Sequence, residues 1–186
     1  MASLGRKPQE GGPRPRGVCQ RANPGSGRRI LTHPGPHSYH ASYDRDVGHL
    51  APGSLRLDGP FDRRLVHWNI APVAGRATRL RCWVRSEALA GCLATLNVAA
   101  FAADHWIDTW CLASTDPSGN AANGWRMVDR PAEIPGGTSA WALVEATLPA
   151  EALPPETDHV AFFIDARQGD GKLWIDELDL WQPDPS

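Results

Sequence analysis

Four runs of this chain alternate apolar and polar residues with a period of two. In LVHWNIAP, Val66, Trp68 and Ile70 fall on one side, His67 and Asn69 on the other. In RLRCWVRS, Leu80, Cys82 and Val84 oppose Arg81, Trp83 and Arg85. CLATLNVAAF sets Leu96 and Val98 against Thr95 and Asn97. HVAFFIDAR sets Val160, Phe162 and Ile164 against Phe163, Asp165 and Arg167. Successive side chains of a strand point to opposite faces, so such runs are half-buried strands. Split by Gly, Pro and Asp turns, they predict an all-β fold, an antiparallel β-sandwich. Helical patterning is thin: Gly91 interrupts SEALAGCLA, and Pro154 and Pro155 end PAEALPPE.

The chain divides by texture. Residues 1–30 carry seven Lys/Arg and one Glu among Pro and Gly, and read as a disordered basic leader. Residues 31–53 form an irregular lead-in containing His33, His37, His40 and His49. These lack metal-ligand register and read as loop histidines. The sandwich is expected over 54–182.

Several function classes are disfavoured. Beyond residue 30 the chain holds twelve Lys/Arg against twenty Asp/Glu, so its folded part is acidic and ill-suited to nucleic acid. No stretch of eighteen apolar residues would insert in a membrane, and no apolar segment follows the basic start as in a secretory signal. Cys19, Cys82, Cys92 and Cys111 form no CxxC pair. A Cys82–Cys92 disulfide would need neighbouring strands. Neither a nucleophile elbow, a zinc-protease motif, a P-loop nor a dinucleotide fingerprint occurs. A glycosidase would need two carboxylates flanking a cleft; Asp165 with Asp108 or Asp176 would have to supply them.

The order of SLRLDG, ATRLRCWVRSE, SAWALVEATLPAE and HVAFFIDARQGDGKLWIDELDLW resembles the jelly-roll carbohydrate-binding modules, the galactose-binding-like β-sandwiches often attached to glycoside hydrolases. The likeness covers roughly residues 52–182 and is most specific in the terminal G-x-x-W-I-D motif at Gly171–Asp176. It implies a jelly roll, an oligo- or polysaccharide ligand, no catalysis, and an extracellular or surface setting. It also implies a structural calcium near Asp176, or else a hydrogen-bonding role for that residue. The family's Asn-x-Gly-Phe-Glu strand has no Glu-bearing counterpart here. Glu177 and Asp179 are expected on one solvated face.

If the alternating strands share a sheet, their polar sides form one concave face carrying His67, Asn69, Arg81, Trp83, Arg85, Asn97, Asp165 and Arg167. Indoles stack on the C–H faces of sugars, while amides, carboxylates and guanidinium forks pair with hydroxyls. That face is the expected ligand site, with Trp83 at its centre. Trp68, Trp141 and Trp174 are expected in packing roles. Trp106, Asp108 and Trp110 share a side by alternation, as a second aromatic patch or as core. The alternative to glycan binding is a structural or adhesive sandwich that meets protein partners in a surface or virion assembly.

Overall fold

The computed structural model describes residues 27–29, 41–61, 64–70, 72, 75–103, 105–118 and 124–183, with 27–29 and 64–70 described by backbone alone. Among the described residues eleven strands follow in order: β1 (Gly27–Arg29), β2 (Ala41–Asp44), β3 (Ser54–Asp58), β4 (Arg64–Ile70), β5 (Thr78–Ala90), β6 (Leu93–Ala102), β7 (His105–Ser114), β8 (Arg126–Glu133), β9 (Ala142–Leu148), β10 (His159–Arg167) and β11 (Asp170–Pro183). One short 3-10 turn, Ala150–Ala152, precedes β10. Sheet A has the order β2-β3-β11-β5-β9, with β1 also on β11; sheet B runs β4-β10-β6-β7-β8. All pairings are antiparallel except β7 with β8. The two sheets make the expected sandwich.

Strand structure begins earlier than Ser54. β2 pairs Asp44 with Ser54 and Tyr43 with Leu55, and β1 pairs Arg29 with Trp181. Neither ASYD nor GRR carries an apolar period that would mark it as a strand. The rest of the leader, and most of the lead-in with His33, His37 and His40, lie outside the described residues.

The core is the inward row of each long strand. Leu80, Cys82 and Val84 of β5 meet Leu173, Ile175 and Leu180 of β11. Across the sandwich stand Leu96 and Val98 of β6 and Val160, Phe162 and Ile164 of β10. Each such side chain contributes about 1.5–3 kcal/mol on burial. Cys82 lies in this core, and Cys82, Cys92 and Cys111 are all free thiols, so the Cys82–Cys92 bridge does not form. Burial pushes all three thiols up to about 12, far from nucleophilic at neutral pH.

Two of the register shifts between the strands bear on residues named above. On β11 the register with β5 shifts between Asp176, opposite Trp83, and Asp179, opposite Arg81. The extra residue is accommodated where Glu177 takes φ 49°. Asp176 and Asp179 therefore share the outer face, and Glu177 joins them there, its carboxylate 3.6 Å from His49 Nδ1. On β7 a shift at Ile107 separates Trp106, opposite Phe101, from Asp108, opposite Ala100. Trp110 enters the core while Trp106 stays 60% exposed.

Candidate functional site

The outer face of sheet A is built by the alternate residues of β5 and their partners. Arg85 stands opposite Trp174 and Trp83 opposite Asp176 on β11, while Arg81 faces Glu145 and Trp83 faces Leu143 on β9. This face is tied up in internal contacts. Trp174 is only 3% exposed. Its indole N–H donates to Asp44 Oδ2 at 2.9 Å, and the Arg85, Lys172 and Arg56 cations sit 5.1, 5.8 and 5.9 Å from its ring centroid. Lys172 Nζ donates to Glu87 Oε1 at 2.6 Å, and Arg56 pairs with Asp58 at 2.7 Å. Lys172 holds the Glu87 carboxyl below its ordinary value; the Trp174 N–H does the same for Asp44.

Trp83 is no open platform. The loop before β3 lays His49 flat on it, with centroids 3.8 Å apart and planes at 17°. Trp141 meets the same imidazole edge-on at 6.0 Å. The loop is held by its backbone: His49 N–H donates to Asp176 Oδ2 at 2.7 Å. Asp176 Oδ1 accepts the Glu177 N–H at 2.8 Å.

Those two bonds bear on calcium. Both oxygens of the buried Asp176 carboxylate are engaged by backbone donors, whereas a hard cation needs six or more oxygens. Among the described residues no group of three or more His, Cys, Asp or Glu is placed to hold a metal ion. Among the described residues, the donor set at Asp176 does not fit calcium.

The outer face of sheet B is different. Its register runs in rows across the strands. Phe163 sits between His67 and Asn97, and Asn97 is next to Cys111. Asp165 is next to Thr95, and Thr95 next to Ser114. Asn69, Ala161, Ala99 and Thr109 form a row of mostly small residues, beyond which lie His159, Phe101 and, at the margin, Trp106.

Polar groups in these rows are deeply set. Asn97 is fully buried and Asp165 is 1% exposed. Asn97 Nδ2 donates to Thr95 Oγ1 at 2.8 Å, while its Oδ1 is buried with no hydrogen-bond donor among the described residues. Arg167 Nε donates to Asp165 Oδ2 at 2.6 Å, and its guanidinium lies 5.4 Å from the Trp125 centroid. Trp125 in turn meets Phe163 edge-on at 5.3 Å. At the far margin the Trp106 indole N–H donates to Thr109 Oγ1 at 2.9 Å, and Phe101 stacks on His159 at 4.9 Å.

The expected ligand residues thus divide between the two outer faces. Arg81, Trp83 and Arg85 belong to sheet A. Asn97, Asp165 and Arg167 belong to sheet B, and the backbone register sets His67 and Asn69 beside them; the side chains of those two lie outside the described residues. The single shared face fails because alternation separates inward from outward without saying which sheet a strand joins. The expected set omits Trp125 and leaves Trp106 open between a second aromatic patch and the core. The Asn/Gly-rich approach to Trp125 and the His-Trp-Ile-Asp run were the available signals. The acids considered for catalysis flank no common cleft: Asp165 is on the outer face of sheet B, Asp176 on that of sheet A, and Asp108 is in register with core-facing Ala100.

No family model matches the sequence, and no curated protein matches it. Solved structures do. The chain superposes on the xylan-binding domain of carbohydrate-binding module family 22 with a TM-score of 0.53 at 8% identity, covering 89% of this chain and 99% of that one. A family 16 carbohydrate-binding module gives 0.51 at 10% identity, over 79% and 89%. The N-terminal endo-1,4-beta-D-xylanase 10B of Clostridium thermocellum, comprising CBM22-1 and GH10 modules and complexed with xylohexaose, gives 0.51 at 9%, over 82% of this chain and only 26% of that one. At such identities the likeness is one of fold. The resemblance read from the sequence holds at that level: the chain has the β-sandwich fold of these solved structures.

Proposed function

We propose that the chain binds an oligo- or polysaccharide, without catalysis, on the outer face of sheet B. The observation that carries this reading is the cluster of Asp165, Arg167, Trp125 and Phe163. The buried Asp165 carboxylate anchors the half-buried Arg167 guanidinium, a planar donor fork, against Trp125, which meets Phe163 edge-on. The fold, shared with modules titled as xylan- or carbohydrate-binding, supports the ligand class. Each hydrogen bond to a sugar replaces one to water and nets about 1 kcal/mol, so affinity is modest. Affinity electrophoresis against a panel of soluble polysaccharides tests the proposal. Retardation by at least one glycan, lost in Arg167→Ala, is expected; migration unaffected by every glycan contradicts it.

A second reading, an interaction module in a larger assembly, draws on sheet A. Leu143 and Leu50 are 40% and 63% exposed; Leu143 stands opposite Trp83, and Leu50 follows His49. On that reading Leu143→Glu abolishes recovery of a protein partner and leaves glycan retardation intact.

A further inference from the structure

Between the β9 edge of sheet A and the β8 edge of sheet B lies a cleft of about 610 Å³, away from the sheet B cluster. One wall is a row of sheet A in which Trp181, Arg79 and Thr147 stand in register on β11, β5 and β9. The backbone of β1 sets Arg29 opposite Trp181 at the end of that row. The other wall is β8, which contributes Asp129 and Arg130. Neighbouring strands lie about 4.8 Å apart, so Trp181 and Thr147 are about 10 Å apart, room for a short oligosaccharide.

The cleft sets Arg79 and Arg130 against Asp129 and Glu145. Glu145, which also lines it, lies 3.6 Å from Arg81. Neither Arg79 nor Arg130 has a carboxylate within ion-pair distance among the described residues, and Asp129 is the single uncommitted acid beside them. Two uncommitted guanidiniums and a half-buried indole on an otherwise acidic body form a specific combination. The indole would stack on a sugar ring, and the guanidinium forks would take a carboxylate.

We infer that this cleft is a second binding site, for a carboxylate-bearing sugar residue such as a uronate within an oligosaccharide. It is independent of the sheet B site, so the failure of one leaves the other standing. Nuclear magnetic resonance titration of the full chain reads both separately, through the indole N–H signals of Trp181 and Trp125. With trigalacturonate, saturable shifts at Trp181 and at the Arg79 side-chain N–H are expected. Their affinity falls about tenfold in Arg79→Gln and in Arg130→Ala, one charge-assisted contact each. It also falls as sodium chloride rises and is unchanged in Trp125→Ala. Four results would overturn the inference: no shift at Trp181; equal shifts with neutral galactotriose; equal shifts with sodium acetate, which would mark a bare anion site; or preference for a sulfated galactotriose over the uronate. Folding of each variant is checked by its amide spectrum, and both arginines are exposed enough for either change to leave the core intact.

Discussion

His49 lies flat against Trp83, with ring centroids 3.8 Å apart, and its backbone N–H is bound by Asp176. This clasp closes the loop before β3 over the indole that the sequence made the best candidate for a ligand platform. A stacked aromatic pair contributes about 0.5–1.5 kcal/mol beyond the area it buries. His49→Ala is therefore expected to lower stability by about 1–2 kcal/mol in urea unfolding and to raise acrylamide quenching of tryptophan fluorescence. Polysaccharide binding should be unchanged. Unaltered quenching would mean that the imidazole does not shield Trp83 in solution.

Asp176 separates two roles in one experiment. Its oxygens accept the His49 and Glu177 N–H groups at 2.7 and 2.8 Å. Asp176→Ala leaves both donors without their acceptor, at a cost of about 1–3 kcal/mol each where they stay buried. Asp176→Asn, which keeps one oxygen, should cost less. Chelation by EDTA should leave the melting temperature of the unmodified chain in place. A fall on chelation, restored by calcium, would return the carboxylate to a metal site.

The Trp174 cluster makes stability sensitive to acid. Asp44 is held below its ordinary 3.8 chiefly by the Trp174 N–H, with further donors from Asp46, Val47 and Arg56; Glu87 is held below 4.5 by Lys172. A depressed folded-state value means that the stabilisation is full above the unfolded-state value and is lost as pH falls through the folded one. Stability should decline below about pH 4. In Trp174→Phe, which removes the main cause at Asp44, that decline should flatten relative to the same protein at neutral pH. Equal slopes for the two proteins would argue against this linkage.

Much of the sandwich was legible because a strand with one buried face must alternate. Leu80, Cys82 and Val84 are buried as the sequence reading expected, and so are Val160, Phe162 and Ile164. Two things were not legible. Alternation fixes parity within a strand but not sheet membership, so Trp83 and Asp165 looked like neighbours while lying on opposite sides of the molecule. A bulge inverts parity from a single residue, and nothing in WIDELDL or HWIDTW marks where. Glu177 in a left-handed conformation and the shift at Ile107 are decided by the partner strands, not by local composition. The β2 strand escaped notice because its four residues pair only at a sheet edge, where no apolar period is required.

The central claim is that glycan recognition belongs to sheet B and not to the indole of β5. Isothermal titration of one retained polysaccharide into Trp125→Ala and Trp83→Ala tests it most directly. Removal of a stacking ring costs about 1–2 kcal/mol, so Trp125→Ala should weaken binding about tenfold, with Trp83→Ala close to the unmodified protein. The opposite order, with binding lost in Trp83→Ala and kept in Trp125→Ala while both variants stay folded, would contradict it.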